Sequence, residues 1–259
     1  MSEASAKEFR VDVAFLGSGQ GSLQIGEKMI VGDLKPLAEI AAALKEYKQV
    51  LVLGCGSCVS VCLSGGEKEA QQLSRELSQK QHFESSPPKL EVGSILRQCE
   101  RDLVLEYQTI PEGTEAILSL ACGAGVQTLA DAFEPLPVIP ALNTTFLGAS
   151  DKPGVWTEKC KGCGDCILAQ TGGICPVARC AKSLFNGPCG GSKGGYCEVG
   201  QDTFCAWTQI VARLKKLNKL HLYENICTPK NWKPGGATGP RKRVRTGLGN
   251  GSKNGNKRN

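Results

Sequence analysis

Histidine is scarce in this chain: His82 and His221 are the only two in 259 residues. Imidazole-based catalysis therefore has little to work with, and zinc sites of mixed cysteine and histidine ligation lack half of their usual ligands. Both histidines read as surface residues. No window approaches the roughly 20 apolar residues of a membrane span. The first ten residues carry Glu3, Lys7, Glu8 and Arg10 in place of the apolar core of a secretory signal. These absences predict a cytoplasmic protein with no membrane span, in which thiols stay reduced and clustered cysteines bind metal more often than they pair. A complete dinucleotide fingerprint is also missing. Gly17, Ser18, Gly19, Gln20 and Gly21 give G-x-G-x-G rather than G-x-G-x-x-G, and the residues that follow do not open a good helix. No acid-base pair and no nucleophile with a base stands out, and no site for folate or flavin is visible.

Acidic residues are absent from 233 to 259, where eight Lys or Arg concentrate. Without that stretch the formal charge of +6 becomes −2, from 23 basic against 25 acidic residues. The basicity is a property of a Gly, Lys, Arg and Asn-rich tail expected to be disordered. A tail of this kind could associate with phosphate in a salt-sensitive way, but it lacks the interleaved aromatics of a single-strand binder, so no nucleic-acid partner is expected.

At 259 residues the chain can bury a core without disulfide staples. Alternation at Phe9, Val11, Val13 and Phe15, then an apolar pattern over 25–31, predicts short strands around the glycine turn. Asp33 and Pro36 suit a helix start, and Leu37, Ile40, Ala41 and Leu44 share a face of a helix over 35–47. The run Val50 to Leu53 reads as a strand covered on both faces. It breaks into Gly54, Cys55, Gly56, Ser57, Cys58, and a helix over 59–81 follows. The construction repeats: an apolar strand over 116–121, a loop of Cys122, Gly123, Ala124 and Gly125, then a helix over 126–133. Between them, 89–92 reads as a strand and 95–101 as a turn or short helix bearing Cys99. In a parallel sheet both Gly-Cys loops emerge at the carboxyl edge, where open α/β sheets place their ligands. Residues 135–147 read as extended, and 206–217 as a helix with Trp207, Ile210, Val211 and Leu214 inward. The fold class expected is α/β: a Rossmann-like parallel-sheet domain over 29–150, preceded by an extension over 1–28. A small, irregular cysteine-rich metal-binding module over 151–232 and the tail over 233–259 complete it.

The chain is organised around eight of its 14 cysteines, which stand in the 46 residues from 160 to 205: Cys160, Cys163, Cys166, Cys175, Cys180, Cys189, Cys197 and Cys205. The first three form C-x2-C-x2-C, a loop that supplies three soft anionic ligands to one face of an iron-sulfur cluster. Gly162 and Gly164 allow the sharp turn that this wrapping needs. The gap from Cys166 to Cys175 is wider than in a bacterial ferredoxin run. Eight ligands suit two four-iron clusters, and equally two zinc sites of four thiolates each, although only one half shows the C-x2-C knuckle of a zinc finger. Disulfides or free thiols are the remaining alternative. A second group, Cys55, Cys58, Cys62, Cys99 and Cys122, could supply a third cluster. Its C-x2-C-x3-C start is the reverse of the radical S-adenosylmethionine order, and its competing reading is a set of small buried hydrophobes. Cys227 stands alone.

Several stretches together resemble the MetV-type small subunit of methylenetetrahydrofolate reductase. They are Thr171-Gly-Gly-Ile-Cys-Pro-Val-Ala-Arg-Cys-Ala-Lys-Ser-Leu, Asn186-Gly-Pro-Cys-Gly-Gly and Gly195-Tyr-Cys-Glu-Val. Upstream, Leu53-Gly-Cys-Gly-Ser-Cys-Val, Gly65-Gly-Glu-Lys-Glu, Arg97-Gln-Cys-Glu, Ala121-Cys-Gly-Ala-Gly and Pro140-Ala-Leu-Asn-Thr-Thr-Phe extend it over about 29–217. The resemblance implies an electron-transfer subunit without a catalytic site of its own, carrying two 4Fe-4S clusters, or three, on the thirteen cysteines named above. It implies a partner as well: a TIM-barrel flavoprotein that holds FMN and reduces methylenetetrahydrofolate in one-carbon metabolism, with further electron-donor subunits alongside. Some members of the family are described as zinc-containing, which leaves a structural zinc subunit as the alternative. Arg179, Lys182 and Lys193, spread among the cysteines, are placed to stabilise negatively charged clusters or to meet an acidic partner, or are ordinary surface charge.

Overall fold

A computed structural model describes residues 30–79, 82, 83, 86–200, 202–236 and 239–242. The N-terminal extension over 1–28, with its glycine turn, and the tail beyond residue 242 lie outside the described residues.

The apolar run after residue 49 forms β2 (Gln49–Cys55), the second strand of a four-stranded parallel sheet. Its neighbours are β3 (Lys89–Ile95) and β4 (Ala116–Leu120), with β5 (Val138–Pro140) beyond β4. The expected α/β class is what the chain adopts. Period-two alternation divides β2 between two cores. Val50 and Val52 pack with Ile40, Leu44, Leu73, Leu77 and Leu118 on one face. Leu51 and Leu53 pack with Val104, Ile117 and Leu129 on the other. The first face is covered by α1 (Leu37–Leu44) and α3 (Glu67–Leu77), the second by α4 (Arg101–Glu106) and α5 (Gly123–Ala132).

Local elements differ from the sequence reading in three places. Asp33 caps no helix: it pairs with Asn143 inside β1 (Ile30–Leu34), and α1 starts after Pro36. The single helix expected over 59–81 is two, α2 (Cys58–Val61) and α3, because the chain doubles back at Gly65 and Gly66. There the Cys55 amide donates to the Gly65 carbonyl at 2.8 Å. A Cβ on Gly65 would stand 2.2 Å from the Leu120 carbonyl oxygen, so only glycine lets the turn close on the sheet. Finally, α5 begins at Gly123, with Cys122 as its cap, rather than after a four-residue loop.

The sequence reading did not foresee a second sheet. Strands β1, β6 (Leu142–Lys152) and β7 (Val155–Cys160) form it, antiparallel and in the order β1-β6-β7. Strand β6 runs through residue 150, where a domain boundary was expected. Val31 and Leu142 of this sheet pack with Cys55, Val59, Cys62 and Ala121, so it lies over the carboxyl edge of the parallel sheet. Beyond β7 the described residues have little regular structure: α6 (Pro176–Arg179), α7 (Ala206–Lys216) and 3-10 turns at Leu220–Tyr223 and Lys233–Gly235. Its core is Ile174, Trp207, Ile210 and Leu214; Val211, expected inward, is only half-buried. No helix among the described residues is long and apolar enough to cross a membrane.

Candidate metal centres

Because β2, β3 and β4 are parallel neighbours, the segments leaving their carboxyl ends must meet. Cys55 ends β2, Cys122 follows β4, and Cys99 follows β3. Gln98 ties the three together. It is fully buried, its amide donates to the carbonyls of Leu53 and Gly54 at 3.0 and 2.9 Å, and its oxygen accepts the Ser119 hydroxyl at 2.6 Å. Burial pushes the Cys99 thiol up, and the negative charges of Cys122, Cys55 and Cys58 push it further, which marks these four as one electrostatic neighbourhood. Cys62, the fifth of the set, is buried in the same cluster as Cys55. Its sulfur lies 3.1 Å from the Ser64 hydroxyl and 3.5 Å from the Val59 carbonyl, within the core under the antiparallel sheet.

The C-x2-C-x2-C loop begins where β7 ends. Gly162 and Gly164 both take positive φ, +63° and +77°, as the sharp turn requires. The Gly162 amide donates to the Cys160 sulfur at 3.3 Å, and the Cys163 thiol lies 3.7 Å from the Asp165 carbonyl oxygen. Cys166 is exposed. Cys175 caps α6, which packs on β7.

Cys180, Cys189, Cys197 and Cys205 line one cavity of about 20 Å3. Burial raises the Cys205 thiol, but donors from the Thr208 amide and hydroxyl, the Trp207 amide and the Ser192 hydroxyl outweigh it and set its pKa below the ordinary value. Those amides belong to the first turn of α7, where free N–H groups favour a thiolate. At the rim the Gly191 amide donates to the Cys189 sulfur at 3.4 Å, and Cys189 donates to Glu198 at 3.3 Å. Lys182 holds the Glu198 carboxylate in an ion pair, which lowers the carboxyl and raises the amine. Arg179 bonds Gln209 at 2.8 Å, and Lys193 lies near enough to act on Glu198.

All 14 cysteines lie among the described residues, and none is in a disulfide. No three His, Cys, Asp or Glu side chains among the described residues stand in the arrangement of a single ion's ligands. The thiols are therefore grouped in neighbourhoods, with amide donors on several sulfurs, rather than closed on points. Grouped soft ligands with N–H···S bonds are the chemistry of thiolate-bound iron or zinc. Sequence reasoning gave Gln98, Ser119, Glu198 and Lys230 no part in these neighbourhoods. Single polar residues within polar stretches carry no periodic signal, and only the tertiary fold shows which of them are buried.

The profile of a domain family described as methylene-tetrahydrofolate reductase C terminal matches residues 139–233. The match runs from β5 through the cysteine module and continues past residue 217, where the resemblance had been expected to end. It leaves the first two Gly-Cys loops outside. No curated protein and no solved structure matched the chain. Over these residues the chain is similar to the domain so described.

Proposed function

We propose that this chain is the electron-carrying subunit of a methylenetetrahydrofolate reductase complex, docking on a flavoprotein that holds FMN. The observation that carries this reading is the cavity lined by Cys180, Cys189, Cys197 and Cys205 inside the segment that matches the reductase family. In this assignment those four cysteines hold one 4Fe-4S cluster. Cys160, Cys163 and Cys166 hold a second, with Cys175, at the start of the helix that packs on β7, as the fourth ligand. Cys55, Cys58, Cys99 and Cys122 hold a third at the sheet edge. When bound, such clusters pass single electrons without proton or atom transfer. The chain's own part is to present thiolates, to donate N–H groups to their sulfurs from Gly162, Gly191 and the α7 terminus, and to bury the Cys55 and Cys122 side.

The alternative reading is a structural zinc subunit bracing the same complex, with the same thiolates as its ligands. Anaerobic purification followed by elemental analysis and EPR decides between them. Iron with a reducible signal supports electron transfer. Stoichiometric zinc with no reducible chromophore refutes it and leaves the brace.

A further inference from the structure

Lys230 is a buried lysine, with its side chain 2% exposed. Burying an ammonium is costly unless charges and hydrogen bonds compensate it. Its amine donates to the backbone carbonyl of Asp165, between the second and third cysteines of the C-x2-C-x2-C loop. The Cys163 sulfur lies 3.7 Å from that same oxygen. One oxygen contacted by both places the ammonium within about 7 Å of the sulfur. The other partners are partial: the Asp165 carboxylate, 3.7 Å away and 45% exposed, and the Trp232 ring at 5.7 Å. A half-solvated carboxylate at that distance offsets only part of a buried charge.

The segment that delivers Lys230 also clamps the loop. The Asn231 amide donates to the Asp165 carboxylate at 3.3 Å. Pro234 and Gly235 press on Gly164 and Cys163 so closely that a Cβ on Gly164 would meet Pro234 at 2.6 Å. Arg241 donates to the carbonyls of Pro234 at 2.6 Å and of Gly162 at 3.4 Å. Lys161, within the loop, is paired with Glu158 at 2.7 Å, so its charge is already compensated.

We infer that Lys230, seated on the carbonyl oxygen that Cys163 also touches, is a positioning residue that with Arg241 supplies counter-charge to the thiolate-bound group on the 160–166 loop. Residues 230–236 are the strap that fixes this loop. The inference rests on the metal-binding reading above, but not on whether the group is iron-sulfur or zinc, since four thiolates leave either one anionic. A reduction adds one negative charge to such a group, so a fixed cation raises its potential; a redox-inert ion gains retention instead.

The test uses the full chain loaded anaerobically with ferrous iron and sulfide or, separately, with zinc, as wild type, Lys230→Met, Lys230→Arg and Arg241→Gln. Methionine keeps the apolar stem without the charge. The expected result for Lys230→Met is one midpoint potential moved to a more negative value by EPR-monitored titration. Loss of metal from that one site to a chelator should be roughly 10–100-fold easier, as for other groups that support metal ligands. Lys230→Arg should stay near wild type, and the exposed Arg241→Gln should move the same way by less. Unchanged potential and retention in Lys230→Met overturns the inference while the metal reading stands. If Lys230→Met does not fold, Arg241→Gln decides, and no shift there overturns it. A wild type that takes up neither metal sinks the parent reading and this inference together.

Discussion

In the parallel sheet, Val50, Val52 and Leu53 lose all contact with solvent, whereas residues 160–205 bury only Thr171, Ile174, Pro176 and Val177 among those described. Both regions gather cysteines, but by different means. In the sheet, parallel strands of fixed register deliver Cys55 and Cys122 to one edge as a by-product of core packing. In the module, turns, positive-φ glycines, one helix terminus and a strap bring the thiols together, with little apolar burial behind them. A cysteine neighbourhood built on a core should outlast one held by turns once the ligands lose their metal.

Metal removal should break this comparison most visibly. Anaerobic chelation should abolish hydrogen-exchange protection through residues 160–205 while β2 and β4 keep theirs. Equal loss in both halves would show that the sheet, too, depends on metal. A smaller effect tests the sheet from its own side. Leu118→Ala, at a fully buried position, should cost about 2–5 kcal/mol in urea unfolding. The same variant should leave metal content at Cys180, Cys189, Cys197 and Cys205 unchanged.

Gln98→Ala comes next. It leaves the Ser119 hydroxyl and the Leu53 and Gly54 carbonyls without this partner, at a cost of about 1–3 kcal/mol. Metal or thiol changes should be confined to Cys55, Cys58, Cys99 and Cys122. The smallest effect is a difference in titration. In the metal-free chain, the pH midpoint for alkylation of Cys205 should fall below that of an ordinary thiol, and that of Cys99 above it, read by peptide mass spectrometry. The linkage follows in sign. Cys205 contributes stability that is present above its unfolded pKa and is lost as pH falls through its lower folded one. Cys99 instead opposes folding once pH rises past its unfolded pKa.

Strands β2 and β4 were legible because continuous apolar runs bounded by Gly-Cys steps have few other solutions, and the helix after residue 205 because Trp207, Ile210 and Leu214 keep the helical period. The antiparallel sheet was not. Strand β6, with Asn143, Thr144 and Thr145 exposed, has no buried alternation to read, and it is a strand because β1 and β7 flank it. The break between α2 and α3 escaped notice for a related reason, since glycine pairs interrupt a helix only where another backbone presses close, as the Leu120 carbonyl does at Gly65.

By itself the sequence determined that cysteines are this chain's most numerous candidate ligands, that they fall into an upstream and a downstream group, and that the first group sits at a parallel-sheet edge. Spacing and hydrophobic period are local properties and survive without coordinates. Tertiary structure alone decided what lies beside what: Cys55 and Cys62 in one buried cluster, Cys180, Cys189, Cys197 and Cys205 around one cavity, and Lys230 buried beside Cys163 from a position 67 residues downstream. Contacts between residues so far apart depend on which surfaces are left to be covered after the core has formed, and no local pattern encodes that.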